Sequence, residues 1–136
     1  MFASVSSLQP HLLSLLRIVS ALVLFSYGTQ KILHFPAAER VPEAGSLPWI
    51  AGMFELILGF LVLIGFKTRI AAFVLSGVMA FAYFISHAPR GFYPAQNGGV
   101  AAILFCFVML YFVAAGAGPL SVDALVKRKV GQAVAA

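Results

Sequence analysis

The sequence contains few charged residues and a single cysteine. Only 10% of its 136 residues are Asp, Glu, Lys or Arg, whereas 62% are hydrophobic. Soluble domains carry about 25% charged residues, so the composition predicts an integral membrane protein. Cys106 has no partner for an internal disulfide, and without a CxxC pair the chain is not expected to carry out dithiol redox chemistry.

Motifs for cofactors and metals are also missing. No HExxH, Walker or Rossmann pattern occurs. No two histidines lie in the middle of different apolar runs, where a bis-histidine haem would need them. We therefore expect no metal site and no intrinsic cofactor. The net charge of +5 is attributed to cations that orient the chain in the membrane and contact lipid headgroups. No nucleic-acid partner is expected.

Four apolar runs take up most of the chain. They predict an all-α fold, a bundle of four transmembrane helices at about 12–33, 48–66, 70–87 and 97–115, in one membrane domain. About 20 apolar residues cross a hydrocarbon core of about 30 Å. The short link after residue 66 predicts a tight hairpin between the second and third helices. Asn97 is the predicted N-cap of the fourth.

A short amphipathic helix is predicted at about 120–130, after the last apolar run. It combines the apolar residues Leu125, Val126 and Val130 with three consecutive cations, Lys127, Arg128 and Lys129. Such helices lie on membrane surfaces, so we expect these cations to anchor the tail to membrane lipids. Arg17 lies inside the first run, and its side chain is expected to extend to the same membrane surface and to act as a further anchor there.

The cations are unevenly distributed between the two predicted sides of the membrane. The side that holds both termini carries six: Arg17, Lys67, Arg69, Lys127, Arg128 and Lys129. The other side carries three: Lys31, Arg40 and Arg90. Because cytoplasmic segments are enriched in Lys and Arg, both termini are predicted to be cytoplasmic.

Glu55 is a carboxylate inside the second apolar run. It lies about 10 Å from the start of that run, at a rise of 1.5 Å per residue. An ionised carboxylate at such a depth costs at least about 2.5 kcal/mol, so it requires a partner, a cavity or a proton. Tyr27, Lys31 and His34 share one face of the first helix, and Lys31 and Tyr27 are the predicted partners.

The remaining helices offer further polar groups near the predicted outer surface. Tyr83 and His87 share a face of the third helix, and Asn97 starts the fourth. On the second helix, Gly52 and Gly59 flank the carboxylate and would let a neighbouring helix approach closely. The polar groups of all four helices are therefore predicted to converge.

Two interpretations of this cluster stay open. It could be structural, a charge pair and a few hydrogen bonds that fix helix packing. It could instead be a ligand pocket with Glu55 as the catalytic proton donor or acceptor. The ligand-binding residues would then be Tyr27, Lys31, His34, Tyr83, His87 and Asn97.

An ordered set of short segments resembles the DoxX family of small four-helix membrane proteins. The segments are Leu16-Arg17, Gly28–Lys31, Glu55–Gly59, Gly65–Ala72, His87, Asn97–Gly99 and Gly116–Asp123. The resemblance implies a bacterial inner-membrane protein with a link to redox work. Some relatives are subunits of thiosulfate:quinone oxidoreductase or associate with oxidative-stress enzymes. Relatives often carry a glutamate directly after the double glycine, where this chain has Val100, so Glu55 would act alone.

The leading functional hypothesis is a subunit of a quinone-linked oxidoreductase that binds a quinone or similar small lipophile. Glu55 would accept a proton from the reduced ring, and Lys31 would stabilise negative charge on a ring oxygen. A soluble oxidoreductase or a second membrane subunit would carry the electrons. One alternative is a non-catalytic scaffold that recruits soluble redox or stress enzymes through the basic tail. Another is a small transporter, which would require a homo-oligomer.

Overall fold

A computed structural model describes residues 5–135, and this part of the chain is helical, without strands. The long helices are α1 (Gln9–Leu33), α2 (Leu47–Ile64), α3 (Thr68–Ala82), α5 (Val100–Ala115) and α6 (Val122–Ala135). A short helix, α4 (Pro94–Asn97), precedes α5. α3 continues through a π-helical turn at Tyr83–His87 and a 3₁₀ turn at Ala88–Arg90.

Three segments are long and apolar enough to cross a membrane. They are Gln9–Leu33, Leu47–Ile64 and Thr68–Arg90. α5 is equally apolar in character but has 16 residues, fewer than the roughly 20 that a straight span requires. The prediction of an all-α protein with membrane-spanning helices is confirmed, while the fourth span stays a prediction.

The helices pack chiefly in two pairs. α1 lies along α2, and α3 lies along α5, while α2 and α3 meet over a smaller surface. Their shared core contains Leu24, Val62, Leu75, Met109 and Phe112, all buried. These residues come from all four long apolar helices, so one core joins the two pairs.

Glycines bring α1 and α2 unusually close together. A Cβ atom on Gly28 would overlap the backbone of α2, and one on Gly59 would stand 3.2 Å from the backbone nitrogen of Phe25. A Cβ on Gly52 would stand 2.8 Å from the Cβ of Lys31. The predicted close approach over Gly52 and Gly59 is therefore confirmed, and the neighbouring helix is α1.

The predicted start of the fourth helix is wrong. α5 begins at Val100 with Gly99 as its N-cap, and Asn97 ends α4 instead. Gly98 turns the chain between the two helices with φ of +74°, a conformation open to glycine because it has no Cβ. The double glycine, Gly98 and Gly99, thus separates α4 from α5, whereas the sequence predicted one helix that includes both glycines.

The link between α2 and α3 lies at one end of the molecule, together with α6, and we call this the hairpin end. α2 terminates at Gly65 with φ of +71°. The next helix has no cap from its own preceding residue, Lys67. Asp123 supplies it, because its Oδ1 accepts from the Lys67 N–H at 2.8 Å and its Oδ2 from the Thr68 N–H at 3.0 Å.

α6 begins at Val122, close to the predicted start at about residue 120, and extends further than residue 130. The Ser121 hydroxyl accepts the Ala124 N–H at 3.2 Å, so Ser121 acts as the N-cap. The helix then continues to Ala135. Asp123 lies in its first turn, and its carboxylate joins α6 to α3.

Candidate functional site

Lys31 and Glu55 form an ion pair between α1 and α2. The Lys31 Nζ lies 2.8 Å from both carboxylate oxygens. The Glu55 side chain is 5% exposed and the Lys31 side chain 26% exposed. The stem of Lys31 lies over Gly52, where a larger side chain would displace it.

The predicted pairing of Glu55 with Lys31 is confirmed. The predicted pairing with Tyr27 is wrong, because Glu55 accepts only from Lys31 within residues 5–135 and the Tyr27 side chain is exposed.

A cleft of about 600 Å³ opens between α2 and α3 at the end of the molecule opposite the hairpin, which we call the connector end. Its walls are apolar and include Ile50, Phe54, Val78 and Phe81. α2 and α3 are tied together by their short link at the hairpin end and diverge away from it. The cleft is lined by Lys31 but not by Glu55. Of the two residues of the ion pair, only Lys31 therefore reaches the wall of the cleft.

The polar lining of the cleft consists of Lys31, Ser86, His87 and Arg90. Ser86 and His87 belong to the π-helical turn, a local widening of the helix that occurs often at functional sites. The His87 Nδ1 lies 3.1 Å from the carbonyl oxygen of Asn97. A carbonyl only accepts, so Nδ1 carries a proton, and in the neutral ring Nε2 is the acceptor. The cleft thus combines a cationic donor with a histidine acceptor.

Asn97 organises a loop and does not line the cleft, and its predicted binding role stays a prediction. It is 3% exposed. Its Nδ2 donates to the Gly91 carbonyl at 2.9 Å, and its Oδ1 accepts the Gly99 N–H at 2.8 Å. Both ends of the side-chain amide are therefore engaged by backbone groups, those of Gly91 and Gly99.

Tyr83 and His34 also lie apart from the ion pair. The Tyr83 ring packs directly on Gly99 and forms an edge contact with Phe84, with ring centroids 5.3 Å apart. His34 is exposed and ends α1 in a left-handed conformation. The predicted convergence of all four helices on one cluster is therefore only partial. Lys31 and His87 share the cleft, whereas Tyr27, His34, Tyr83 and Asn97 do not line it.

The prediction that Arg17 reaches toward lipid is wrong, because Arg17 is completely buried at the hairpin end. Its guanidinium donates to four backbone carbonyls, those of Val62, Leu63, Ala117 and Leu120. The first two belong to the last turn of α2, where helix carbonyls lack partners within the helix. Five N–H donors in a planar fork fit this arrangement, so Arg17 joins three segments of the chain.

The three cations of α6 lie as predicted on an exposed helix. Lys127, Arg128 and Lys129 are all exposed, as are Leu125 and Val126 beside them. This exposure is compatible with contact to a membrane surface, and the anchoring role stays a prediction.

Sequence reasoning missed several residues that the structure places at functional positions. Ser86 and Arg90 line the cleft. They lie one and three positions from His87, and this closeness in sequence was the available signal that they share a site with it. Asp123 bridges α6 and α3. It is the only acidic residue after position 55, which was a signal for a long-range partner.

Three membrane-length helices, two of them joined by the ion pair of Lys31 and Glu55, define a helical integral membrane protein. The chain belongs to the DoxX family, whose model matches residues 12–88. It is 40% identical over 121 residues to an uncharacterized protein of Haemophilus influenzae, and the match covers 85% of this chain and 90% of that protein. A second uncharacterized protein of the same organism is 34% identical over 74 residues, 54% of this chain and 49% of that protein. No solved structure matches the chain significantly.

Proposed function

We propose that this chain is the membrane subunit of a quinone-linked redox system in the bacterial inner membrane. It would cross the membrane four times, with the hairpin end on the cytoplasmic side. The observation that carries the proposal is the cleft between α2 and α3. Its volume of about 600 Å³ falls within the range of about 300–1,000 Å³ typical of small-molecule sites.

The chemistry of the cleft suits a ring that carries oxygen and an apolar tail. The ammonium of Lys31 can donate to a quinone carbonyl, and Nε2 of neutral His87 can accept from a hydroquinone hydroxyl. The apolar walls, with Phe54 and Phe81, offer surface for the ring and the tail. The cleft is open rather than enclosed, so a long isoprenoid tail can continue into the lipid.

The ion pair determines how the cation is presented. Glu55 holds the Lys31 Nζ at 2.8 Å from both of its oxygens, so the ammonium stays positioned without a ligand. Oxidation of a hydroquinone releases two electrons and two protons. The electrons would pass to a redox partner, and the protons would leave through His87 or the ion pair. Because Glu55 does not line the cleft, it would act through Lys31 rather than touch the ring.

A binding experiment with cleft variants tests this proposal. Gly77 lines the cleft and has open space where a Cβ would stand, so Gly77→Leu should fill the cleft while the protein folds. Gly131→Leu on α6 is the control, since Gly131 also has open space. Decylubiquinone binding to the purified protein in detergent is measured by thermal shift. We expect binding by the parent and the control, and its loss in Gly77→Leu.

A matched ligand separates ring recognition from general occupancy by acyl chains. Decylbenzene has the same tail and a ring without oxygens. If decylbenzene binds as tightly as decylubiquinone, or if Lys31→Met leaves quinone affinity unchanged, the cleft does not recognise quinone oxygen and the proposal fails.

A scaffold function is the second candidate, and one observation favours it. α6 extends over 14 residues and exposes both its cations and its apolar residues. A soluble redox enzyme could dock on this surface. Co-purification of such an enzyme with the parent, and its loss when residues 122–136 are deleted, would support this candidate over quinone binding.

A further inference from the structure

We propose that the hairpin end carries a binding site for the headgroup of one anionic phospholipid, held by Lys67, Arg69 and Lys127. These cations line a second cleft, which we call the cationic cleft, with a volume of about 570 Å³. It lies between the start of α3, the turn after α5 and the first turns of α6. It shares no lining residue with the cleft between α2 and α3, so the inference is independent of the proposed quinone site.

The charge of the cationic cleft is unbalanced. Its lining includes three cations and one carboxylate, Asp123. Both oxygens of that carboxylate already accept backbone N–H groups, from Lys67 at 2.8 Å and Thr68 at 3.0 Å. The carboxylate thus caps α3 instead of pairing with a side-chain cation. The excess positive charge favours an anionic ligand.

Arg69 is held in an orientation that can bind a phosphate. Its Nη1 donates to the carbonyls of Val113 and Ala114, the latter at 2.6 Å, at the end of α5. A guanidinium has five N–H groups, so those of Nε and Nη2 are left for a ligand. Gly116 borders this edge, and a Cβ there would stand 3.3 Å from Nη2. Two adjacent N–H groups in a fixed plane match the oxygens of a phosphate.

Thr68 gives an independent indication of a missing ligand. It lines the cationic cleft and is completely buried. Its hydroxyl has no hydrogen-bond partner within residues 5–135, whereas buried polar groups in proteins are almost always hydrogen-bonded. A phosphate oxygen or a headgroup hydroxyl in the cleft would provide that partner once the atoms that cover the Thr68 hydroxyl shift aside.

The surroundings favour a lipid over free phosphate. The exposed Ile70 lines the cationic cleft, and the centroid of the exposed Phe66 ring lies 6.0 Å from the Lys67 Nζ, so both provide apolar surface for acyl chains. The site lies at the end of the membrane-length helices, which is the level of lipid headgroups. Basic pockets between helices at the cytoplasmic side are suited to anionic headgroups.

Native mass spectrometry of the full chain in detergent, titrated with dioleoyl phosphatidylglycerol, tests the site. The test variant is Lys67→Gln with Lys127→Gln, which keeps the Lys67 backbone N–H that bonds to Asp123. The control is Arg128→Gln with Lys129→Gln, which removes the same charge but changes no residue of the cleft. We expect one saturable lipid on the parent and the control, and an affinity about tenfold or more weaker for the test variant.

Three results would overturn the inference. Equal weakening of both double variants would indicate diffuse attraction to the basic surface. Equally tight binding of zwitterionic phosphatidylcholine would remove the role of charge. Saturable binding of inorganic phosphate that displaces the lipid and depends on the same two lysines would identify a free-phosphate site. Thermal midpoints without added lipid check that all variants are folded.

Discussion

Lys31 lines the open cleft and pairs with a buried carboxylate, that of Glu55, which accepts hydrogen bonds only from Lys31 within the described residues. The ammonium nitrogen lies 2.8 Å from each carboxylate oxygen, yet the Lys31 side chain is 26% exposed against 5% for Glu55. The pair therefore has two separable properties. It contributes to the packing of α1 on α2, and it fixes a positive charge at the wall of the cleft.

Glu55→Gln should destabilise the protein. Breaking a buried pair costs about 3–5 kcal/mol and an exposed pair about 0.2–1 kcal/mol. With Lys31 partly exposed, we expect about 2 kcal/mol, measured as a lower thermal midpoint in detergent. The control is Glu39→Gln, at an exposed position in the loop between α1 and α2. Its effect on the free energy of unfolding should stay within about 0.5 kcal/mol.

Adding Lys31→Met to Glu55→Gln should recover much of the lost stability, because the cation without a partner is removed. Quinone binding should be absent in this double variant, since the ring oxygen has lost Lys31 as its donor. If the double variant is no more stable than Glu55→Gln, the two residues are not energetically coupled.

Arg17→Lys should destabilise the protein severely despite the retained charge. An ammonium has no planar fork to span four carbonyls from two segments, so the two carbonyls of one segment would lose their donor. Hydrogen bonds to charged groups contribute about 1.5–3 kcal/mol each, which predicts a loss of about 3 kcal/mol or more. Yield and thermal midpoint report the effect, and Arg128→Lys on exposed α6 should change neither. A normal midpoint for Arg17→Lys would show that the four contacts contribute little.

Gly28→Ala and Gly77→Ala should have opposite effects on stability. An added methyl on Gly28 meets the α2 backbone, whereas none of the described residues lies within 4 Å of the position on Gly77. Overpacking costs about 1–3 kcal/mol, while alanine in an open helical position gains up to about 1 kcal/mol. Equal thermal midpoints for the two variants would contradict the close contact of α1 and α2.

A reporter fused after Ala136 should read cytoplasmic, and one inserted beside Glu43 should read external. The reason is the excess of Lys and Arg at the hairpin end. Alkaline phosphatase and green fluorescent protein fusions give opposite signals for the two sides. An external C-terminus would reverse the orientation and would remove the cationic cleft from the cytoplasmic leaflet.

The helices and the ion pair could be predicted because strong physical constraints act on single segments. A run of about 20 apolar residues has few alternatives to a membrane helix. A carboxylate among apolar residues needs a cation nearby, and Lys31 was available at the matching depth of the neighbouring helix. Helical spacing likewise identified Gly52 and Gly59 as a close contact.

The partners of Arg17, Asp123 and Asn97 could not be predicted in the same way. Each of these side chains binds backbone groups, and a backbone carbonyl or N–H leaves no signal in the identity of its residue. Arg17 thus appeared to be a surface anchor although it is buried. The cleft between α2 and α3 is a property of how two helices diverge, which periodicity along one helix does not report.

The four carbonyls around Arg17 have a consequence for the order of assembly during synthesis. Val62 and Leu63 become available once α2 has been made, whereas Ala117 and Leu120 follow α5. A nascent chain that ends before residue 117 therefore contains a buried cation with half of its acceptors. Completion of α5 and closure of the hairpin end are therefore linked, and the first helix has all of its contacts through Arg17 only when nearly the whole chain has been made.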